Sequence, residues 1–201
     1  TLFDIAQPQL DTAFTKIKAN LQKGVDREKI TTEQQSTALQ NLSTTTSLEE
    51  ACDNADLVIE AIPEKLELKQ NLLQKVDALT GKDTIIATNT SSISIETISQ
   101  FVADPTRVIG AHFFNPVHIM KLLEIVYHPT TSTEVISAIQ EYGKRINKEA
   151  ILVKNTPGFA TSRLGVALGM EAIRMLEQGV ASAEDIDKAM VLGYRHPIGP
   201  L

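Results

Sequence analysis

The sequence predicts an α/β fold, in which a mostly parallel sheet covered by helices on both faces is followed by the start of an all-α domain. Up to residue 155, short apolar runs of strand type alternate with amphipathic helical segments. This alternation is typical of parallel strands joined by helical crossovers. After Asn155-Thr156-Pro157-Gly158 the pattern contains helices alone. We therefore expect two domains, residues 1–155 and residues 156–201.

Each element follows from a local pattern. Leu10, Phe14, Ile17 and Leu21 recur at spacings of three and four, which predicts an amphipathic helix over residues 9–23. Further helices are predicted at residues 64–79, 93–101, 133–146, 159–178 and 182–192. Strands are predicted at residues 57–62, 84–88, 107–110, 122–127 and 150–153, and residues 1–4 resemble the end of a strand.

The segment from residue 31 to residue 50 is rich in Thr, Ser and Gln and shows no strong period. The run from Thr44 to Ser47 argues against a long helix there. Ser47, followed three residues later by Glu50, has the pattern of a capping box and predicts the start of a short helix.

Composition excludes several classes of protein. A net charge of −6 and a pI near 5.3 argue against nucleic acid or an anionic membrane as the main partner. Cys52 is the single cysteine, which rules out a disulfide scaffold and a thiolate zinc site. No apolar run has the length of a membrane span, and no signal peptide precedes the first element. A cytoplasmic or organelle-matrix protein is expected.

The glycines bear on cofactor binding. A dinucleotide-binding sheet begins with a strand, Gly-x-Gly-x-x-Gly and a helix, and none of the ten glycines has that spacing. Both ends of the chain look cut, so we expect this first βα unit to lie upstream of Thr1. Asp4 would then stand at the end of the second strand, where an acidic residue binds the adenosine ribose. A turn-forming or capping role is the alternative for Asp4.

His112 and Glu124 are the candidate acid–base residues. His112 follows an apolar run and precedes the turn at Asn115-Pro116, and its ordinary pKa range suits proton transfer at neutral pH. Glu124 stands inside Leu122-Leu123-Glu124-Ile125-Val126, where an unpaired carboxylate is costly. A His–Glu pair would satisfy both groups. The alternative is a core histidine with one satisfied nitrogen.

Other polar residues are weaker candidates. His118, His128 and His196 have no metal-like spacing, so surface or turn positions are expected. Ser91 lacks the Gly-x-Ser-x-Gly context of a hydrolase nucleophile and is interpreted as a hydrogen-bond donor. Together these residues favour alcohol–carbonyl redox chemistry over hydrolysis.

In several segments the chain resembles the 3-hydroxyacyl-CoA dehydrogenase family. These segments occur in the family's order and spacing and extend over the whole chain. They are Val58-Ile59-Glu60-Ala61-Ile62-Pro63-Glu64, Asn89-Thr90-Ser91-Ser92, His112-Phe113-Phe114-Asn115-Pro116-Val117, Met120-Lys121-Leu122-Leu123-Glu124, Thr156-Pro157-Gly158-Phe159, Glu184-Asp185-Ile186-Asp187-Lys188-Ala189-Met190 and Gly199-Pro200.

The resemblance implies a Rossmann-type sheet that lacks its first βα unit, with NAD as cofactor and an acyl-CoA thioester as substrate. His112 would be the general base that takes the proton of the substrate's 3-hydroxyl, and Glu124 would orient it. Ser91 and Asn115 would hold the reacting oxygen and nearby groups. The same resemblance places Asp4, Ala61, Ile62, Glu64, Lys69, Asn89, Ser91 and Asn115 against the cofactor, and Ser91, Ser162 and Arg27 against the substrate.

The resemblance also implies a homodimer formed through the helical C-terminal domain, and a preference for NAD over NADP because a 2′-phosphate would meet the carboxylate of Asp4. One departure is Ser162, which stands where the family often has Asn. Two alternatives remain open at this point. One is a related dehydrogenase of a free hydroxy or sugar acid, and the other is a non-catalytic binding fragment.

Overall fold

The computed structural model describes residues 1–201 and contains two parallel or mostly parallel sheets flanked by helices. The strands are β1 (Leu2–Phe3), β2 (Thr44–Thr45), β3 (Leu57–Glu60), β4 (Ile85–Thr88), β5 (Val108–Phe113), β6 (Leu122–Tyr127) and β7 (Glu149–Lys154). The helices are α1 (Gln7–Asp26), α2 (Thr32–Gln40), α3 (Leu48–Cys52), α4 (Leu66–Leu79), α5 (Ile95–Ser99), α6 (Thr133–Arg145), α7 (Thr161–Glu177) and α8 (Ala183–Lys188). The predicted α/β class is confirmed.

The chain forms two compact units. One comprises residues 1–58 and 74–84, and the other comprises residues 59–73 and 85–201. In the first unit β1 pairs with β2 in parallel, with Leu2 opposite Thr44. The sequence prediction missed β2 because a two-residue strand of threonines carries no hydrophobic alternation.

The prediction also missed α2. Its signal was present in the sequence, because Thr31 and Gln34 form a complete capping box in which each side chain bonds the other residue's backbone N–H. Ser47 does cap α3, since its hydroxyl accepts from the N–H of Glu50. The Glu50 carboxylate instead accepts from the hydroxyl of Thr45, so the capping is one-sided.

The larger sheet has the strand order β3-β4-β5-β6-β7. Strands β4 and β5 are parallel, as are β6 and β7, whereas β5 and β6 are antiparallel. Its interior strands are almost wholly buried, which explains their continuous apolar runs. The antiparallel pair matters for the site, because its register places His112 directly opposite Glu124. His112 thus lies within β5, and not after the strand as the sequence suggested.

A tight turn joins β7 to the C-terminal helices. Gly158 has a φ of +75°, and a Cβ there would lie 3.0 Å from the backbone nitrogen of Arg163. Glycine therefore allows the close turn in residues 155–160, which connect β7 to α7. The predicted second helix at residues 182–192 is α8 followed by a π-helical turn, Ala189–Gly193. No helix is both long and apolar enough to cross a membrane.

Candidate active site

A buried histidine–glutamate pair lies between β5 and β6. The Nδ1 atom of His112 is 2.7 Å from Oε2 of Glu124, and the two side chains are 8% and 0% exposed. Because the carboxylate accepts the Nδ1 proton, the imidazole presents its Nε2 lone pair away from the carboxylate. The predicted pairing is therefore present in the structure.

Glu124 also bonds the start of α7. Its Oε1 accepts from the N–H groups of Ala160 (3.2 Å) and Thr161 (2.9 Å), and its Oε2 accepts from the hydroxyl of Thr161 (2.9 Å). Burial opposes the charge of the carboxylate, but the bonds from His112 and Thr161 outweigh it and lower the pKa of Glu124. The carboxylate is thus held ionised beside the imidazole at neutral pH.

Two aromatic side chains enclose the imidazole. The ring of Phe114 is centred 4.5 Å from that of His112, and the ring of Phe159 is centred 5.8 Å away in an edge-on arrangement. Phe159 is 3% exposed and has a φ of +50°, an uncommon conformation for a bulky residue. Sequence reasoning assigned no role to Phe159, although it ends the Thr156-Pro157-Gly158-Phe159 segment.

Glu64 organises the loop that carries Ser91. One carboxylate oxygen accepts from the backbone N–H of Ser91 (3.0 Å) and of Ser92 (3.1 Å), and from the hydroxyl of Ser92 (3.1 Å). The hydroxyl of Thr90 donates to the same oxygen. This geometry fixes the backbone on either side of Ser91, so the glutamate acts on the position of that serine.

Lys69 and Glu60 form a buried ion pair beside this loop. The ammonium lies 2.7 Å from Oε1 of Glu60 and 3.3 Å from Oε2 of Glu64, and it also donates to the carbonyl of Ile62 at 3.1 Å. The Lys69 side chain is 1% exposed. Its three contacts lie within the chain, so it holds the two glutamates in place. Direct contact with a cofactor stays a prediction.

The carboxyl group of Glu64 should make the free energy of unfolding depend on pH in the acid range. Burial would raise its pKa, but hydrogen bonds from Thr90 and Ser92 and the charge of Lys69 lower it from 4.5 to about 2. A depressed pKa stabilises the fold above pH 4.5, and this stabilisation is lost as the pH falls through about 2. Since the side chain is 36% exposed, solvent screening reduces the contribution to roughly 2 kcal/mol.

Urea unfolding at a series of pH values measures this contribution. The Glu64→Gln protein should be less stable than wild type at pH 7, and the difference should shrink as the pH falls from 4.5 to 2. Glu67→Gln, which changes an exposed glutamate three residues further on, in the first turn of α4, is the matched control and should show a constant small difference. A Glu64→Gln difference that does not vary with pH would contradict the assignment.

Two of the predicted substrate-binding residues, Ser91 and Ser162, line a cleft of about 560 Å³. Their contact with a substrate stays a prediction. The remaining lining residues are Ser92, Pro157, Gly158, Arg163, Val166 and Ala167.

The side chain of Asn89 accepts from the N–H of Phe113 at 2.8 Å and so ties the ends of β4 and β5 together. Asn115 is exposed and precedes a cis peptide bond to Pro116.

Asp4 and Arg27 lie in the first unit. Asp4 follows β1, and its Oδ1 accepts from the N–H of Ala6 at 2.9 Å, which is the turn-forming role. Arg27 ends α1 and is exposed. In the other unit, Ala61 is exposed and the N–H of Ile62 donates to Glu60 at 2.6 Å. The binding roles of these four residues stay predictions.

Of the other histidines, His128 occupies a turn as expected but is not on the surface. It follows β6, its carbonyl accepts from the N–H of Thr131 at 3.0 Å, and it is 2% exposed, so burial lowers its pKa. His118 is exposed as expected. No group of three or more potential metal ligands is present. Cys52 is buried, in agreement with a role as apolar filler.

Comparison with protein families gives two matches that together span nearly the whole chain. Residues 1–156 match the family model described as "3-hydroxyacyl-CoA dehydrogenase, NAD binding domain". Residues 158–201 match the one described as "3-hydroxyacyl-CoA dehydrogenase, C-terminal domain".

Individual proteins similar to this chain carry the name of the same family. A probable 3-hydroxyacyl-CoA dehydrogenase of Caenorhabditis elegans is 38% identical over 99% of this chain and 68% of its own length. A 3-hydroxybutyryl-CoA dehydrogenase of Clostridioides difficile is 40% identical over 97% of this chain and 69% of its own. The crystal structure of (S)-3-hydroxybutyryl-CoA dehydrogenase from Ralstonia eutropha superimposes with a TM-score of 0.93, at 37% identity, over 99% of this chain and 70% of that one. The chain thus spans about two thirds of the length of these proteins.

Proposed function

The chain belongs to the 3-hydroxyacyl-CoA dehydrogenase family, and we propose that it carries out NAD-dependent oxidation of a short-chain (S)-3-hydroxyacyl-CoA to the 3-ketoacyl-CoA. The observation that carries this proposal is the 2.7 Å pair between His112 and Glu124, which leaves Nε2 of the imidazole for the substrate. Relatives named as 3-hydroxybutyryl-CoA dehydrogenases support the choice of substrate class.

The pair would act as a general base with an orienting carboxylate. Nε2 of His112 takes the proton of the substrate's 3-hydroxyl while the C3–H bond breaks and its hydride leaves. Glu124 stabilises the imidazolium that forms, because the ionised carboxylate accepts its Nδ1 proton. In the reverse direction the same imidazolium returns the proton to the carbonyl oxygen. NAD, when bound, supplies the hydride acceptor.

The chain's own residues fit a cofactor at the Ser91 side of the site. The loop held by Glu64 presents Ser91 at the cleft, and Asn115 is exposed at the turn after β5, so both can meet the nicotinamide or the reacting oxygen. Asp4 would hold the adenosine ribose. Residues 1–201 contain no Gly-x-Gly-x-x-Gly run to receive the pyrophosphate.

Domain organisation and assembly form part of the proposal. Family models that meet between residues 156 and 158 support a boundary after residue 155. Met170 and Ile173, three residues apart on one face of α7, are 45% and 43% exposed, which supports burial of this helix face in a homodimer. A cytoplasmic or organelle-matrix location is proposed from the single buried thiol, and relatives include a mitochondrial enzyme.

Oxidation of NADH in the presence of acetoacetyl-CoA tests the activity. We expect kcat/KM to be at least about 100-fold higher with acetoacetyl-CoA than with free acetoacetate, because binding of the CoA moiety contributes to transition-state stabilisation. NADPH should be a poorer donor than NADH. Activity on free acids with none on the thioester would instead favour the free-acid dehydrogenase, and absence of both activities would favour a binding function.

A further inference from the structure

The start of α7 has no capping residue of its own. Its N-cap, Ala160, has no side chain to accept a hydrogen bond, and no acidic residue stands in the first turn. The helices α6 and α8 differ, because Ser132 and Ser182 cap them. At α7 the Glu124 carboxylate of β6 takes this role by accepting from two backbone N–H groups.

Hydrogen bonds are divided between the two oxygens of this carboxylate. Oε1 accepts the two backbone N–H groups, and Oε2 accepts the hydroxyl of Thr161 at 2.9 Å and the imidazole of His112 at 2.7 Å. The bonds at Oε1 hold one oxygen but allow the carboxylate plane to turn about it. The hydroxyl of Thr161 removes that freedom, since it fixes the oxygen that His112 shares.

The groups around the imidazole are few. Glu124 is the ionisable side chain that contacts it, and it does so from β6. The turn after β5 contributes Phe114, and the segment before α7 contributes Phe159. The first residue of α7, Thr161, reaches the ring only through the carboxylate. A change at Thr161 therefore acts on the ring by way of Glu124.

We infer that Thr161 is a positioning residue for the reaction, whose hydroxyl holds Oε2 of Glu124 in line with Nδ1 of His112. This inference rests on the proposed function and extends it. It makes the placement of α7 a condition for the orientation of the base, since one threonine both begins the helix and bonds the carboxylate. Partners that orient a catalytic histidine's carboxylate are expected to act on turnover and not on substrate binding.

Three variants of the full chain test the inference. Thr161→Val removes the hydroxyl and keeps the branched shape, Thr161→Ser keeps the hydroxyl, and Thr133→Val is the matched control. Thr133 is also the first residue of a helix, α6, and its hydroxyl also bonds a glutamate, Glu134 at 3.2 Å, but on the surface. The readouts are kcat and KM with acetoacetyl-CoA and NADH, and the NMR titration of the ¹³C-labelled Glu124 carboxyl.

In Thr161→Val we expect kcat to fall about tenfold, with both KM values within about twofold of wild type. Thr161→Ser should recover at least half of kcat, and Thr133→Val should equal wild type. The pKa of Glu124 should rise in Thr161→Val, because a hydrogen bond that lowers it is lost. Unchanged kcat and Glu124 titration in Thr161→Val would overturn the inference. An inactive wild-type protein would refute the proposed function but not the positioning of Glu124 by Thr161, because the titration of the Glu124 carboxyl still shows whether the Thr161 hydroxyl holds it.

Discussion

Replacing His112 with glutamine should lower turnover by about 10³–10⁴-fold while NADH affinity stays within about twofold of wild type. The amide can donate to Glu124 as the imidazole does, so the local hydrogen bond is kept, but it cannot accept a proton at neutral pH. Only the transfer of the hydroxyl proton is lost. The measurement is kcat for acetoacetyl-CoA reduction, together with NADH binding by fluorescence.

His118→Gln provides the control for this substitution. That histidine lies six residues further on and is exposed, so its replacement should leave kcat unchanged. If His112→Gln kept turnover near that of wild type, the base would have to be another group. A large loss of NADH affinity would point instead to a cofactor-binding role for His112.

The acid–base pair could be predicted because its sequence signal is local. Glu124 lies in a run of Leu, Ile and Val that forms a buried strand, so it needed a buried partner, and His112 lies near the end of the preceding strand. The register that joins them requires β5 and β6 to be antiparallel. The connection between these strands includes the exposed residues 115–120. It is long enough for a chain reversal between antiparallel strands but too short for the helical crossover that parallel strands need.

Other parts of the site depend on contacts distant in sequence. Thr161 bonds a carboxylate 37 residues away, and Thr88 donates to Glu60 across 28 residues at 2.6 Å. Threonine is common in strands and at helix starts, so neither residue type predicts such a partner. The ion pair of Lys69 had a clearer signal, because the spacing of α4 places this lysine on the same face as Leu73 and Val76, where it needs a buried counter-charge.

The structure also changes how Glu64 is understood. The resemblance placed it against the cofactor, whereas its carboxylate bonds the backbone of Ser91 and Ser92. Cofactor binding would then depend on Glu64 through the position of the Ser91 loop as well as through any direct contact. The same reasoning applies to Asn89, whose side-chain oxygen is occupied by the N–H of Phe113. For both residues the structure supports a role in holding the site's backbone.

Replacing Glu124 with glutamine should be nearly as damaging as replacing His112, and for two separable reasons. Four donors face the carboxylate, from His112, Ala160 and twice from Thr161, and an amide offers one accepting oxygen and two donor hydrogens. If its NH₂ group faces Nδ1, the imidazole proton moves to Nε2, and this wrong tautomer should lower kcat by about 10³-fold.

The Glu124→Gln protein should also be less stable, because the NH₂ group of the amide cannot accept from the donors that face it. If that group faces α7, the backbone N–H groups at the start of the helix lose their acceptor. A loss of about 2–3 kcal/mol in the free energy of unfolding is expected for a buried, charge-accepting group of this kind. Glu149→Gln, which changes an exposed glutamate on the neighbouring strand β7, is the control and should alter neither quantity. Urea unfolding and kcat are measured on the same samples at pH 7. Turnover within about tenfold of wild type would contradict the orienting role, since the tautomer argument leaves no route to efficient proton transfer.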